Sequence, residues 1–329
     1  MKVCIFGLGA IGGHIAVRLS QTNCTVSVIA RGAVLDAVRS NGLRLKTADR
    51  EMVAHPKATS DVEMVGVQDL VVVSVKSTAL PAIAASLPAL VGPKTAIAFI
   101  GNGLPWWYLA GLDVPWTHWS PGVAAILSSM RKHVDMQRAI GMVTYSANHV
   151  EQPGTIINSS AKSNSFICAP VHEQTSAQCR HLVRALCDGG AVAHQERDLS
   201  VPLWRKLLTN IVTGPLGALT GLTSGEILSS RELRQVVECA TRETQELARL
   251  YGIGDMPIDP QQTATRLAHH KSSMLQDFES GRPPELATLL GAPCDLARLH
   301  GLPTPTLSCL HALATGKAKA LGILPIDYR

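Results

Sequence analysis

At 329 residues, the chain exceeds the length of one typical domain, so its length predicts two domains. Its composition, 46% hydrophobic and 17% charged, is typical of a globular protein with a large core and excludes a disordered chain. The net charge of +5 is mild and unclustered. It therefore indicates anionic small molecules as ligands and predicts no nucleic-acid partner.

Membrane and metal partners are not expected either. Prolines and a lysine between residues 81 and 94 interrupt the longest apolar stretch, so no run reaches membrane length. The eight cysteines show no C-x-x-C and no zinc-type spacing, and we interpret them as reduced thiols of a cytoplasmic protein. His269 and His270 are adjacent and would point apart on a helix, so the sequence predicts no metal site.

The first elements along the chain are a strand and a helix joined by a glycine-rich turn. The apolar run 3–6 ends at Gly7, a G-x-G-x-x-G motif follows with Gly9 and Gly12, and apolar residues then recur every fourth position. Gly7 allows the tight turn, Gly9 lets a pyrophosphate approach the backbone, and Gly12 lets helix and strand pack closely. Free N–H groups at the helix N-terminus would bind the phosphates. This context predicts a bound dinucleotide rather than a bare turn.

The second strand, 25–29, is followed by Arg31 and by no carboxylate. A carboxylate at this position would bind the ribose 2′-hydroxyl of NAD, whereas an arginine suits the 2′-phosphate of NADP. The sequence therefore predicts NADPH or NADP⁺ as the cofactor, with a solvated loop arginine as the alternative.

Further strands follow a predicted helix at 33–41 and a hairpin of 43–45 with 52–55. Residues 70–75 and 96–100 are apolar and β-branched, as in parallel strands buried on both faces. Lys76 and Asn102 come after them, and ligands in such sheets lie beyond the carboxyl ends of the strands. Both side chains are therefore predicted to point at the cofactor, or else they are turn residues.

The periodicity changes beyond residue 198. Strands at 139–145, 155–158 and 191–194 and a helix at 174–187 come before this point, and only helices come after it. These helices are predicted at 199–219, from about 229 to 252, from 259 to 278, from 284 to 300, and from 305 onward. The pattern predicts an α/β fold in which a Rossmann-type parallel-sheet domain, 1–198, binds NADP, and an all-helical domain, 199–329, binds substrate and performs catalysis.

Four of the five tryptophans lie within residues 105–119. They could form an apolar lid that excludes water from a substrate. The alternative, which we favour, is packing or a subunit contact. This segment and the helical domain are the two candidate surfaces for a homodimer.

Lys206 and Asn210 are four residues apart and therefore lie on one face of a helix. The residues around them, Trp204, Leu207 and Leu208, are apolar. Such a lysine either extends along the surface to solvent or acts in catalysis, and the spacing leaves both open.

Several motifs together resemble a known family. In chain order they are Gly7-x-Gly9-x-x-Gly12, Arg31, Lys76, Asn102-Gly103, Leu203-Trp-Arg-Lys206-x-x-x-Asn210, and Ser272-Ser-Met-Leu-Gln-Asp277 with Glu285. This order is similar to that of the ketopantoate reductase (2-dehydropantoate 2-reductase) family over the length of the chain. The resemblance implies a helical domain of the 6-phosphogluconate dehydrogenase C-terminal type. It also implies NADPH-dependent reduction of ketopantoate to (R)-pantoate in pantothenate biosynthesis.

The resemblance also implies roles for individual residues. Lys206 would be the general acid and Glu285 would act beside it, and a protonated lysine suits this role because it can neutralise the oxyanion of a reduced ketone. Substrate would be bound by Asn102, Asn210 and Ser273, with Asp277 in support. The residues implied to bind the cofactor are Gly7, Leu8, Gly9, Ala10, Ile11, Gly12, Arg31, Lys76, Asn102, Ala147 and Glu285.

Four positions depart from the family pattern. Gly214, Ser224 and His270 replace asparagines, and Ala287 replaces an aspartate. The departures leave the reducing residues intact and alter the contacts that choose the acyl tail. Two alternatives to ketopantoate reduction therefore stay open: an NADPH-dependent reductase of another branched 2-keto acid, and a non-catalytic NADP(H)-binding sensor.

Overall fold

The computed structural model describes residues 1–160, 164–256 and 268–324. The chain forms two compact units, Met1–Gly101 with Ser129–Leu199, and Asn102–Ser128 with Ser200–Arg329. The functional division of the chain at residue 198 stays a prediction, and Asn102–Ser128 belongs to the second unit. None of the helices within the described ranges combines the length and the apolar character needed to cross a bilayer.

An eight-stranded sheet forms the centre of the first unit. Its strands are β1 (Lys2–Phe6), β2 (Thr25–Ile29), β5 (Lys57–Thr59), β6 (Gln68–Val73), β7 (Val91–Ile100), β8 (Ala139–Tyr145), β11 (Ser165–Pro170) and β12 (Val192–Gln195). They follow the order β12-β11-β8-β7-β6-β1-β2-β5. All neighbours are parallel except β8 and β11, which are antiparallel. No crossover helix is described between β8 and β11, and parallel pairing needs such a crossover.

The core of this unit explains why its strands are so apolar. Val3 and Ile5 of β1 and Leu70 and Val72 of β6 are fully buried. Helices α1 (Ala10–Ser20), α2 (Gly32–Asn41), α3 (Leu80–Ile83) and α6 (Ser176–Asp188) accompany the sheet. Apolar side chains of α1 and α6 join the same core cluster as the strands. A strand covered on both faces needs no polar side, which produces the continuous apolar runs.

A second, four-stranded sheet packs against α1. It contains β3 (Leu43–Lys46), β4 (Glu51–Ala54), β9 (Asn148–Gln152) and β10 (Thr155–Asn158), in the order β4-β3-β10-β9. The antiparallel pairing of β3 with β4 confirms the predicted hairpin. The parallel pairing of β10 with β3 joins segments more than a hundred residues apart, and no local pattern predicts it.

The second unit contains mostly helices. They are α4 (Trp106–Ala110), α5 (Pro121–His133, whose last residues belong to the first unit), α7 (Ser200–Thr220), α8 (Ser224–Ser229), α9 (Arg231–Leu250), α10 (Ser273–Glu279), α11 (Ala292–Leu299) and α12 (Pro305–Ala320). α7 packs against α8, α9, α10 and α12. Its residues Leu203, Trp204, Leu207, Leu208 and Ile211 are buried, so it is the central helix of this unit.

Two predicted helices differ in the structure. Part of the predicted helix 259–278 lies outside the described residues, and the described part is helical only from Ser273. α10 begins there because the Ser272 hydroxyl accepts the N–H of Leu275, as an N-cap does. The predicted helix 284–300 is divided into a π-helical turn, Ala287–Gly291, and the α-helix α11.

The tryptophan-rich segment packs inside the second unit. Trp106, Trp107 and Trp119 are buried, whereas Trp116 is 45% exposed. The indole N–H of Trp204 donates to the Tyr108 hydroxyl at 2.8 Å and so ties the segment to α7. These contacts agree with the packing interpretation of this segment.

Gly103 fastens the start of this segment to the π-helical turn. Its φ is +76°, and the next N–H, of Leu104, donates to the Thr288 carbonyl oxygen at 2.9 Å. A Cβ on Gly103 would lie 2.2 Å from that same oxygen. Any side chain at this position would be strained and would also collide with backbone.

Gly103→Ala is therefore expected to destabilise the second unit by about 2–5 kcal/mol, from the left-handed backbone and the overpacking together. Urea unfolding followed by tryptophan fluorescence measures this, since all five tryptophans lie in the second unit. Gly111→Ala is the matched control, because a Cβ there meets only ordinary contacts beyond 3.4 Å and φ is −84°. Equal stability of the two variants would contradict the expectation.

Candidate active site

The glycine turn between β1 and α1 has the geometry that its sequence requires. Gly7 has a φ of +101°, its N–H donates to the Ile29 carbonyl at 3.1 Å, and its carbonyl accepts the Ser74 hydroxyl at 2.7 Å. A Cβ on Gly12 would lie 2.1 Å from the Gly7 oxygen. Both positions therefore exclude a side chain, one by conformation and the other by close approach.

Gly9 differs from these two, because its surroundings are open. It is the N-cap of α1, no side chain caps that helix, and a Cβ on Gly9 would meet no described atom within 4 Å. The first-turn N–H groups, including those of Ala10 and Ile11, have no partner within the helix. Open space before uncapped N–H groups fits a phosphate ligand, so these residues fit the pyrophosphate of a dinucleotide.

Other residues that the resemblance implies for the cofactor lie at the same edge of the sheet. β2, β1 and β6 are adjacent and parallel, so their carboxyl ends meet at one edge. Arg31 follows β2 as the exposed N-cap of α2, and Lys76 follows β6 as the N-cap of a short 3₁₀ turn. The first unit thus brings the glycine turn, Arg31 and Lys76 to the edge at which such sheets bind ligands.

Ala147 follows β8, which also runs parallel in this sheet. Its N–H donates to the Ser160 hydroxyl at 2.9 Å, and its carbonyl accepts the N–H of Ser159 at 3.0 Å. The backbone of Ala147 is therefore held by protein on both sides.

The second unit assembles the predicted catalytic residues from three distant segments. Lys206 lies on α7, Glu285 precedes the π-helical turn and is 6% exposed, and Asn102 precedes Gly103. The Asn102 amide donates to Glu285 Oε2 at 2.9 Å across 183 residues of sequence. These three side chains are close together in the fold, although nothing in their sequence spacing requires it.

Burial lowers the pKa of Lys206 from its usual 10.5 to about 8, and the nearby Glu285 carboxylate opposes this change. Desolvation disfavours the ammonium, whereas the opposite charge favours it. At neutral pH the lysine is mostly protonated, yet it releases its proton far more readily than a lysine in water. That is the condition that suits a general acid.

Backbone contacts hold Glu285 in position. Its carbonyl accepts the N–H of Leu289, and the next turn is π-helical, a form often found at functional sites. The Gly103–Thr288 contact fixes the Asn102 loop to this same turn.

Asn210 lies one turn beyond Lys206 on α7. Its amide nitrogen is buried, and no atom of the described ranges accepts a hydrogen bond from it. A buried donor without an acceptor costs about 1–3 kcal/mol, so a ligand oxygen would be stabilised here. One further turn along α7, a Cβ on Gly214 would find only the Met274 Cβ, at 4.0 Å.

The predicted residues of α10 lie in different surroundings. α10 packs on α7, and Ser273 is exposed at its first position. Asp277 is buried, and its carboxylate accepts from Arg282 at 3.4 Å, so it has a protein partner.

Two of the departures from the family pattern face protein. The Ser224 side chain is buried and donates to the Thr213 hydroxyl at 3.1 Å. Ala287 is buried within the π-helical turn. His270 is exposed, and its carbonyl accepts the N–H of Ser224.

Sequence reasoning missed two residues that shape the site, Ser74 and Thr288. Ser74 supports the glycine turn through the Gly7 carbonyl, and the backbone of Thr288 holds the Asn102 loop. A lone hydroxyl within the apolar run 70–75 could have indicated Ser74. No sequence signal indicates the backbone contact of Thr288.

Comparisons with known proteins show which family the chain resembles. The family model described as Ketopantoate reductase PanE/ApbA matches residues 3–167, and Ketopantoate reductase PanE/ApbA C terminal matches residues 198–318. A 2-dehydropantoate 2-reductase of Mesorhizobium japonicum is 33% identical over 317 residues, covering 95% of this chain and 96% of that protein.

Solved structures share the fold. A PanE/ApbA family ketopantoate reductase from Ralstonia eutropha JMP134 has a TM-score of 0.81 at 24% identity, over 98% of this chain and 100% of that one. The 2-dehydropantoate 2-reductase from Geobacter metallireducens GS-15 has a TM-score of 0.82 at 22% identity, over 96% and 99%. The predicted fold class, a Rossmann-type sheet domain followed by a helical domain, is confirmed. The chain belongs to the ketopantoate reductase family of oxidoreductases.

Proposed function

We propose that this protein reduces 2-dehydropantoate to (R)-pantoate with NADPH, as a step of pantothenate biosynthesis in the cytoplasm. The observation that carries the proposal is the buried Lys206 ammonium beside Glu285, with its pKa lowered to about 8. The direct test is NADPH oxidation by the purified protein, followed at 340 nm, with and without ketopantoate. Oxidation at the same slow rate in both would contradict the proposal.

Lys206 supplies the proton. A bound nicotinamide dinucleotide supplies a hydride to the carbonyl carbon of the substrate. The carbonyl oxygen then gains negative charge, and a buried ammonium stabilises that charge far better than water does. The Lys206 Nζ donates its proton to this oxygen, so the ketone becomes an alcohol and the lysine becomes neutral.

Glu285 and Asn102 position this acid. The Glu285 carboxylate raises the pKa of Lys206 against the effect of burial and keeps it charged at neutral pH. Asn102 donates to one Glu285 oxygen and so fixes the orientation of the carboxylate. As the family resemblance implies, both residues would also help to hold the nicotinamide end of the cofactor.

Asn210 and Ser273 bind the substrate oxygens, with Asp277 supporting α10. The unpartnered Asn210 amide supports this role, since a hydroxyl or carboxylate oxygen of the substrate would satisfy it. The second candidate, in which the substrate is another branched 2-keto acid, rests on Gly214, which supplies no side chain where the family pattern has an asparagine. Comparing kcat/KM over a series of 2-keto acids with NADPH distinguishes the two.

Arg31 selects NADPH over NADH. It is exposed at the start of α2, directly after the strand whose end holds the adenosine ribose in this type of fold. Its planar fork matches the 2′-phosphate. The glycine turn and Lys76 bind the phosphates and the nicotinamide side of the same cofactor.

Lys206→Ala is expected to lower kcat by about two to four orders of magnitude, the usual contribution of a general acid. Steady-state kinetics with ketopantoate and NADPH measure this. Arg205→Ala is the matched control, because Arg205 is exposed on the same helix and its loss is expected to leave kcat unchanged. A wild-type rate for Lys206→Ala would remove the lysine from the mechanism.

The pH profile provides a separate test. Because Lys206 acts in its protonated form and has a pKa of about 8, kcat/KM is expected to fall tenfold per pH unit above that value.

Glu285→Gln keeps an acceptor for Asn102 but removes the negative charge. The pKa of Lys206 then falls further, so the descending limb moves to lower pH. A limb at the same pH in Glu285→Gln would show that another group titrates.

Arg31→Ala is expected to raise the KM for NADPH by about 10- to 100-fold and to leave the KM for NADH unchanged, since only NADPH has the 2′-phosphate. Kinetics with both cofactors at saturating substrate measure this. Arg39→Ala removes a second exposed arginine of α2, whose Nε donates to Ala58, and serves as the control. If Arg31→Ala affected both cofactors equally, the assignment of NADPH specificity to Arg31 would be wrong.

A further inference from the structure

A buried polar cluster in the first unit is not explained by the chemistry above. Its members are His14 and Arg18 on α1, Asn148 at the start of β9, and Asn158 at the end of β10. His14 is fully buried, Asn158 is 2% exposed and Arg18 is 5% exposed. Burying such groups costs desolvation energy, and apolar side chains of similar size would pack a helix against a sheet without that cost. The cluster therefore calls for a reason other than packing.

Hydrogen bonds across the cluster define the tautomer of His14. The Asn148 Oδ1 accepts from Asn158 Nδ2 at 2.8 Å and lies 2.9 Å from His14 Nδ1, so this ring nitrogen must be the donor. The other nitrogen, Nε2, then accepts from Arg18 Nε at 3.2 Å and from Asn164 Nδ2 at 3.4 Å. Burial lowers the pKa of His14 to about 4, so the ring is neutral at physiological pH and keeps one donor and one acceptor.

Each end of this chain of bonds lies next to a segment of the cofactor site. His14 is two residues beyond Gly12, on the helix whose uncapped N-terminus fits the pyrophosphate. Asn148 directly follows Ala147, and its amide donates to Ser146, which also accepts from Asn158 at 3.0 Å. The Ala147 backbone is held in turn by Ser159 and Ser160. One network therefore connects the glycine-turn helix to the turn that contains Ala147.

We propose that His14, Asn148 and Asn158 are positioning residues that hold the turn Ser146–Asn148 at a fixed place relative to α1, so that both are preorganised for the dinucleotide. The proposal rests on the proposed function, in which the glycine turn and Ala147 bind NADPH. The side chains of the network contact backbone and one another and have no part in the chemistry. Their loss weakens cofactor binding because the free protein must then order the turn on binding.

The test is direct binding of NADPH, measured by isothermal titration calorimetry at a temperature well below the melting temperature of each variant. His14→Leu and Asn148→Ala each break the bond between the helix and the turn, and each is expected to raise the Kd by about tenfold. kcat at saturating NADPH and ketopantoate is expected to change by less than about threefold.

Two variants of His14 show which of its ring nitrogens, Nδ1 or Nε2, is needed for NADPH binding. His14→Asn places an amide donor near the position of Nδ1 and retains the bond to Asn148, so a Kd within about threefold of wild type is expected. His14→Gln places its amide near Nε2, where it satisfies Arg18 but not Asn148, and is expected to behave like His14→Leu. If His14→Asn raised the Kd for NADPH more than His14→Gln did, the proposal would be overturned.

A matched control separates positioning from general destabilisation. The Thr175 hydroxyl is buried and donates to the Ala139 carbonyl away from this cluster, so Thr175→Val lowers stability without touching the network. Its Kd for NADPH is expected to remain that of wild type. An unchanged Kd in His14→Leu and Asn148→Ala, or an equal rise in Thr175→Val, would overturn the inference. If wild type itself bound neither NADPH nor NADH, the proposed function would fail instead.

Discussion

The burial of the Lys206 ammonium beside the Glu285 carboxylate is the constraint on which the second unit depends. A buried lysine without an opposite charge would lose its proton, and a buried carboxylate without a cation or donors would gain one. In this pair the Glu285 carboxylate raises the pKa of Lys206 and so favours the ammonium against the effect of burial. The Asn102 hydrogen bond, the π-helical turn after Glu285 and the Gly103 contact all hold that geometry.

The first unit relies on different groups from those of the second unit. Beside the charged Arg31 and Lys76, it presents uncharged backbone: a helix N-terminus without a cap, open space at Gly9, and glycines where a Cβ would collide. Binding a pyrophosphate needs donors at fixed positions more than it needs a titratable group. The polar cluster of His14 and its partners serves the same purpose, because it holds α1, which carries the backbone donors, at a fixed place relative to the turn Ser146–Asn148. One family model ends at residue 167 and the other begins at residue 198, whereas the second unit also includes Asn102–Ser128 from within the first match.

Local patterns predicted much of this. The strand-turn-helix at 3–19, the hairpin at 43–55 and the central helix α7 were each visible as a period or as glycine spacing, and the structure contains them. The antiparallel placement of β11, the pairing of β10 with β3 and the inclusion of Asn102–Ser128 in the second unit were not visible. All three depend on contacts between residues far apart in the chain, for which no single segment holds a signal. The start predicted at residue 259 lies outside the described residues, and in the described part of that helix residues 268–272 are not helical, because the Ser272 hydroxyl caps a helix that begins at Ser273.

The sequence by itself determined the local features: the glycine turn after the first strand, an arginine and no carboxylate after the second strand, and a lysine and an asparagine one turn apart on a helix. These are properties of single segments, and a family resemblance connected them. Only the tertiary structure decided that Lys206 is buried beside Glu285, which lowers its pKa to about 8, and that Asn102 is the partner of that carboxylate. Desolvation and charge pairing depend on what surrounds a side chain in space, and 183 residues of sequence separate Asn102 from Glu285.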